Sequence, residues 1–373
     1  MFHLYCFLLY AYVLIRLVLP LQIAWPCRVV LGAILLVGAM NRLLCQLLFG
    51  NMFSPEMPAG IILAAGALMG AVLFMAALSL FADVIALILF AARRGQWAQR
   101  WLHQVRPLVL IIAGGLGVLA AYNGQKAPHI THVDIVLEDL APPLDGLRVV
   151  QLSDLHVSAL LGRRWLQEVV SQTNALKPDV VVITGDLIDG YVAARSSDLD
   201  PLQQLRATRG VYVSLGNHEY YFDHQAWSNR FNALGLEILV NRHVRLGPAG
   251  RELVIAAVAD EAAATFGAQV PNAAKALQGV SPDQPIVLLR HRPTGIAESQ
   301  QYGVDLQLSG HTHGGMISGV DLVVAAANDG LVSGMYQRGD TAVYVNNGTG
   351  IWNGFPLRLG RPAEITCFTL RAP

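Results

Sequence analysis

Five stretches decide how this chain folds: VVQLSDLH (149–156), VVVITGD (180–186), VYVSLGNH (211–218), IVLLRH (286–291) and LQLSGHTH (306–313). Each opens as a short apolar run of strand length, rich in Val, Ile, Leu or Tyr. Each closes, typically through one or two small residues, in side chains able to bind metal. Ligands in α/β folds gather beyond the carboxyl ends of strands. These endings therefore predict that Asp154, His156, Asp186, Asn217, His218, His291, His311 and His313 converge, although they are spread over 160 residues of chain.

Working outward, strand-like runs alternate with amphipathic helical stretches over about 245 residues, an α/β domain large enough for one core. Strands are expected at His132 to Leu137, Leu147 to Leu152, Val180 to Thr184, Val211 to Leu215, Leu253 to Val258, Ile286 to Leu289 and Leu306 to Ser309. Helices are expected at Trp165 to Leu176, Leu202 to Arg206, Gln225 to Leu234 and Ala273 to Leu277. Two late β-rich stretches, Ala342 to Asn346 and Glu364 to Leu370, suggest a second sheet packed on the first.

The composition changes near residue 123. Before it the chain is Leu, Val, Ala and Gly with few charges, and four segments approach the roughly 20 apolar residues that span a bilayer: 3–23, 27–49, 60–92 and 107–122. The third is long enough to require a tilt or a break near Gly66 or Gly70. This divides the chain into a transmembrane region (1–123), a linker (124–130) and a globular domain (131–373). Arg93, Arg94, Arg100 and Arg106 fall in the expected loop after the third span, which makes that loop cytoplasmic. With four spans, the protein is a multi-pass protein of the cell (inner) membrane, with its globular domain on the outer, periplasmic side. Arg16, Arg42 and Asp83 read as charges snorkelling near helix ends.

The net formal charge is zero, from 26 basic and 26 acidic residues, and no basic patch with interleaved aromatics is present. Nucleic acid is therefore not an expected partner. Cys6, Cys27, Cys45 and Cys367 form neither a disulfide framework nor a CxxC pair, and read as small packing residues.

So many carboxylate and imidazole groups cannot be buried together without cations. The mixed oxygen and nitrogen set suits two divalent ions, manganese first, with zinc, iron or magnesium as alternatives, and the lack of thiolates argues against a closed structural zinc site. Asp186, between the paired clusters, is the natural bridge. Such a pair serves phosphoester hydrolysis. His218, which follows a ligand and titrates in the neutral range, is the expected proton donor to the departing oxygen, with Asp189 and Glu219 orienting the site from behind.

Read in order, Ser153-Asp154-Leu155-His156, Gly185-Asp186-Leu187-Ile188-Asp189, Gly216-Asn217-His218-Glu219, His291 and Gly310-His311-Thr312-His313 resemble the signature of the calcineurin-like metallophosphoesterase superfamily. The resemblance covers roughly residues 145 to 373. The tail is similar to a membrane-tethered bacterial phosphodiesterase subgroup through Ser333-Gly334-Met335-Tyr336, Tyr344-Val345-Asn346-Asn347-Gly348 and Pro356-Leu357-Arg358-Leu359. The resemblance implies a four-layer αββα sandwich; the bundle of about four transmembrane helices that precedes it lies outside the resemblance. It also implies one ion held by Asp154, His156, Asp186 and His313, and another held by Asp186, Asn217, His291 and His311. His218 would take the leaving-group role. Ser153 stands where many members have Gly, and Met316 where this subgroup commonly has Gln.

His3, His103, His129, His132, His224 and His243 lack a matching block and read as ordinary residues. Gly348-Thr349-Gly350 reads as a turn rather than a phosphate cradle. Asp223 and Arg292 adjoin site blocks and are candidates for substrate contact, whereas Arg163 and Arg164 read as a solvated helix start. The expected function is hydrolysis of a phosphodiester or pyrophosphate, with a lipid-linked molecule as the candidate substrate. The alternatives are a phosphomonoesterase or protein phosphatase and, in a different class, a non-catalytic membrane sensor or transport component.

Overall fold

The computed structural model describes residues 2–281 and 283–373. The chain divides into two compact units: Met1–Gly124 with Asn353–Arg358, and Gln125–Trp352 with Leu359–Pro373.

The first unit is helical. Helix α1 (Phe2–Val13) runs on through a π-helical turn over Leu14–Val18, followed by α2 (Trp25–Phe49), α3 (Ala59–Ala91) and α4 (Gly95–Gly124). The last three are long and apolar enough to cross a membrane, while the apolar helix Phe2–Val18 is shorter than that. The bundle of about four apolar helices thus consists of three of membrane length and one shorter. The chain leaves helical geometry near Pro20, whose ring and missing N–H cannot continue an i→i−4 ladder. Helix α3 is continuous, with no break at Gly66 or Gly70. Helix α4 starts well before residue 107, so Arg100 and Arg106 lie on a helix rather than in a loop. Gln, Arg and Ala are good helix formers whatever their polarity, and hydropathy alone misses that turn.

Tyr10, Val13 and Leu17, Leu35 and Ala39, Val72 and Met75, and Val109 and Ala113 form the shared core of this unit. Leu80, Phe81, Leu87, Ile88 and Phe90 of α3, with Ile111 and Val118 of α4, face outward as an apolar surface suited to lipid. Gly117 lets α3 and α4 approach closely, because a Cβ there would stand 2.4 Å from the Ala67 carbonyl oxygen.

Arg16 and Asp83 form an ion pair. Arg16 donates twice to Asp83 at 2.8 Å, and Tyr12 donates to the same carboxylate at 2.8 Å. Arg42 is buried, donating to Asn41 Oδ1 and, at 3.2 Å, to the Met52 carbonyl. Snorkelling is therefore replaced by an ion pair that joins distant helical segments. The excursion Asn353–Arg358 packs on small residues of this unit: a Cβ at Gly66 would lie 2.6 Å from Pro356 Cγ, and Arg358 N–H donates to the Ala120 carbonyl at 2.9 Å.

The second unit carries two six-stranded sheets. One is ordered β1 (His129–Val136), β12 (Glu364–Arg371), β2 (Leu147–Leu152), β3 (Val180–Thr184), β4 (Val211–Ser214), β5 (Glu237–Ile238). The other is ordered β10 (Gly334–Arg338), β11 (Thr341–Val345), β9 (Leu306–Ser309), β8 (Ile286–Leu289), β7 (Leu253–Ala257), β6 (Arg242–Leu246). Helices α5 (Arg163–Ala175), α6 (Val192–Arg195), α7 (Asn217–Tyr221), α8 (His224–Ala233), α9 (Ala273–Ala276), α10 (Ile296–Gln301) and α11 (Val320–Ala327) connect the strands. Strands β2 to β5 run parallel, as do β7, β8, β9 and β11.

Alternate residues explain the layering. Leu147, Val149, Val180 and Val182 from one sheet meet Leu253, Ile255, Val287, Leu289, Leu306 and Leu308 from the other in a single core. The intervening Val254, Ala256, Ile286 and Leu288 pack instead with Ala273, Ala276 and Leu277 of α9 and its flank. Both faces of these strands are covered, which is why they read as unbroken apolar runs. On α5, Leu166, Val169, Val170 and Thr173 recur at helical spacing and are buried. This is the mixed α/β sandwich that the resemblance implies.

Two details differ from the sequence reading. Strand β12 joins the first sheet, between β1 and β2, so only β11 of the two late stretches belongs to the second sheet. Strand β1 begins at His129, directly after the short connection Gln125–Pro128.

Candidate metal centre

Because β2, β3 and β4 are parallel neighbours, their carboxyl ends share a rim, and the same holds for β8 and β9 in the facing sheet. At that rim the chain turns sharply. Asp154, His156, Asp186, His311 and His313 all have left-handed backbone, with φ of 51°, 44°, 52°, 68° and 50°. Each such residue costs about 1–3 kcal/mol, a strain that accumulates where surrounding contacts impose it. Those contacts are explicit: Asp154 N–H donates to the Gly185 carbonyl, His156 N–H to the Asp186 carbonyl, and His311 N–H to the Asp154 carboxylate, all at 3.0–3.1 Å.

The small residues before the ligands have a steric cause. A Cβ on Gly216 would lie 2.3 Å from Asp186 Oδ1, and one on Gly310 would lie 2.2 Å from Asp154 Oδ2. Gly310→Ala is therefore expected to displace Asp154 and weaken metal binding about 10–100-fold, the scale of lost ligand positioning. Metal titration of the folded variant checks this.

The eight predicted residues come together. Asp154, His156 and His313 form one close group, Asp186, His291 and His311 another, and His156, Asp189 and His218 a third, with ligand atoms in each within 4.8 Å of one another. His156 Nε2 lies 3.8 Å from both Asp154 Oδ1 and Asp186 Oδ2, and 3.1 Å from His313 Nε2. Asp186 Oδ2 is 3.2 Å from His291 Nε2, which is also 3.2 Å from Asn217 Oδ1. Asp186 thus stands between the groups, touching both.

Hydrogen bonding shows why this cluster needs cations. His291 Nδ1 lies 2.8 Å from the Thr184 carbonyl, which can only accept, so Nδ1 carries a proton. In neutral imidazole, Nε2 then presents a lone pair straight at the Asp186 carboxylate, an arrangement that is repulsive unless positive charge intervenes. Asp154, Asp186, Asp189 and Glu219 are all buried within this region, and the first three have histidines as ion-pair partners. Four buried carboxylates, together with bare imidazole nitrogens, fit divalent cations.

The proton equilibria express the same demand. Burial opposes charge on His291, yet Asp186 and Asp154 raise it well above the usual imidazole range. Burial raises the Asp154 carboxyl, while Asp186, despite burial, is held well below the usual range by His291 and His218. His311 is pushed well below its ordinary value by burial and by His291. A proton on His291 does, in the metal-free protein, what a cation would do.

Asp189 and Glu219 support the cluster from behind, in different ways. Asp189 Oδ1 accepts from His156 Nδ1 at 3.1 Å and from His218 Nδ1 at 2.5 Å, orienting both rings with Nε2 turned inward. Burial works against its ionisation, but His156 and His218 bring it down to about 2. Conversely, burial opposes charge on His218, and Asp186 and Asp189 raise it to about 9. Glu219 accepts the N–H groups of Gly216, Asp186 and Leu187, pinning the β3 and β4 loops together.

The residues of open role resolve as follows. Asp223 caps α8 through Ala226 N–H, and Arg163 pairs with Asp200. Arg292 donates to Asp260 at 3.0 Å and bonds Tyr221. Gly350 and Thr349 donate to the Asp154 and Ser153 carbonyls, so that glycine-containing run buttresses the first ligand loop. Sequence reasoning missed Tyr221 and Trp352, whose rings lie 5.3 and 6.1 Å from that of His218. No local pattern could have indicated them.

Residues 147–315 match the family model described as calcineurin-like phosphoesterase. A metallophosphoesterase of Bacillus subtilis is 32% identical over 273 residues, covering 70% of this chain and 92% of that protein. One of Campylobacter jejuni is 31% identical over 293 residues, covering 78% and 76%. The chain belongs to the calcineurin-like metallophosphoesterases. A zebrafish (Danio rerio) protein described as a transmembrane protein with metallophosphoesterase domain is 36% identical over 273 residues, covering 71% of this chain. This metallophosphoesterase spans 62% of that relative's length and 63% of its bovine counterpart's. Its clustered Asp and His side chains fit a divalent-metal site, and three of its helices have the length and apolarity to cross a membrane.

Proposed function

We propose that this metallophosphoesterase hydrolyses a phosphodiester or pyrophosphate at a pair of divalent ions, most simply manganese, on a lipid-linked substrate. Asp154, His156, Asp186 and His313 would hold one ion, and Asp186, Asn217, His291 and His311 the other. When bound, such a pair neutralises phosphoryl oxygens and makes a water nucleophile available near neutral pH. The observation that carries the reading is the Asp186 carboxylate, set between His156 and His291 with the Nε2 atom of each turned inward, and with His218 beside them. His218, protonated and fixed by Asp189, would give its Nε2 proton to the departing oxygen. The test is turnover of bis-aryl against mono-aryl phosphate, with manganese supplied. Faster turnover of the diester supports the reading, and exclusive turnover of the monoester replaces it by a phosphomonoesterase.

Metal binding at His291 must displace the proton that its neighbours favour. Because that pKa is raised, the metal-free ring is protonated at neutral pH, so affinity weakens as pH falls and tightens as pH rises toward the raised value. Manganese titrations at about pH 6 and about pH 8 should differ by about tenfold per pH unit for each proton displaced.

Sidedness follows from the arginines. Arg93, Arg94, Arg100 and Arg106 gather where α3 gives way to α4, and α4 alone leads from them to the catalytic unit. By the excess of positive charge, that end of the bundle would be cytoplasmic and the catalytic unit would lie on the outer side of the cell membrane of a multi-pass protein. Protease access in spheroplasts checks this, since cleavage only after their lysis would reverse the assignment.

A further inference from the structure

We infer that α11 is an interfacial helix that inserts its exposed face into the lipid surface of the membrane to which the chain's own helices anchor it. Its eight residues read VDLVVAAA, and Asp321 is its only polar side chain. Leu322 and Val323 are 72% and 69% exposed, more than any other large apolar side chain described in the catalytic unit. Ala326 and Ala327, also exposed, continue the stripe one turn on. An apolar helix face in water is costly, and a bilayer surface relieves that cost.

Connectivity identifies the lipid surface as the occupant. The base of α11 is fastened to the residues that follow the helical unit's last segment, Asn353–Arg358. Ser318 N–H donates to the Leu359 carbonyl and Leu359 N–H to the Met316 carbonyl, both at 2.9 Å, and Asp321 pairs with Arg361. The chain thus passes from Arg358, in the unit whose helices have membrane length, to Leu359, the hydrogen-bond partner of the loop that leads into α11, in a single step of about 3.8 Å, and to Arg361, the partner of Asp321, within about 11 Å. Gln125–Pro128 forms a second tether, reaching at most about 14 Å when fully extended.

The placement matters for the metal loop. α11 follows His313-Gly314-Gly315, and a Cβ on Gly315 would stand 2.3 Å from Asp321 Cα, so the first turn of the helix rests directly on that loop. A lipid-docked α11 would hold His311 and His313 at headgroup level, where a lipid phosphoester presents its scissile bond. This consequence rests on the proposed hydrolysis, whereas the docking itself does not.

The test uses the full chain with Cys6 and Cys27 replaced by Ser, an environment-sensitive fluorophore on Leu322→Cys, and a control fluorophore on the exposed Glu168→Cys of α5. Both proteins are reconstituted in vesicles of phosphatidylethanolamine and phosphatidylglycerol, with and without doxyl-labelled lipid. The expected result is blue-shifted emission at position 322, quenched severalfold more by doxyl lipid than at position 168. Water-like emission at both positions would overturn the inference. So would blue-shifted emission that doxyl lipid leaves unquenched, which would place a protein surface, either the chain's own helices or a second copy, over α11. Since neither readout needs turnover, failure of the hydrolase reading would leave this result intact, and docking-negative vesicles could still hydrolyse a soluble diester.

Discussion

Replacing His218 by Asn is expected to lower phosphodiester turnover by about 10²–10⁴-fold, the usual worth of a positioned general acid, with metal content unchanged. The ring is not among the close ligand groups around Asp154 and His291, but joins His156 through Asp189. With Nδ1 2.5 Å from Asp189, its Nε2 faces the cluster 3.9 Å from Asp186 Oδ2. Asn is similar in reach and polarity but carries no transferable proton. The deficit should therefore grow as the leaving group becomes more basic: small for a nitrophenolate, large for an alkoxide. Equal losses for both would indicate a positional role instead. Unchanged turnover, with metal still bound, would remove His218 from the chemistry.

Asp186→Asn should have a still larger effect, because it would remove one negative charge from both proposed ion sites at once. Asp186 Oδ2 meets His156, His218 and His291, while Oδ1 accepts the His218 backbone N–H at 2.8 Å. The amide keeps the shape but abolishes the ionised bridge, so metal occupancy should fall at both sites and hydrolysis by more than in the His218 variant. The fold should persist, since Glu219 still holds the Asp186 and Leu187 N–H groups. Retained occupancy of two ions would contradict the bridging role.

The sequence disclosed most where local chemistry and burial coincide. Strands β3, β8 and β9 end where expected because every residue in them is buried, and β2 is exposed only at Arg148, so few solvent-facing residues blur the runs. Strands β5, β6 and β10 were missed because they are short or half-exposed and carry charges. The placement of β12 depends on pairing with β1 and β2, more than 200 residues away, which no local pattern encodes. At the site, ligand identity was legible and ligand posture was not. Left-handed backbone at Asp154, His156 and Asp186 is imposed by contacts between loops, and L residues give no sign of it in advance. Likewise, the Arg16–Asp83 pair and the excursion of Asn353–Arg358 exist only through tertiary packing.

The most direct measurement is the divalent metal content of the purified full chain after reconstitution with manganese, taken together with phosphodiester turnover before and after chelation. About two ions per chain, lost together with activity on chelation and restored together on readdition, is the expected result. Undiminished turnover by a chain stripped of metal would contradict the convergence of carboxylates and imidazoles on cations as the source of activity.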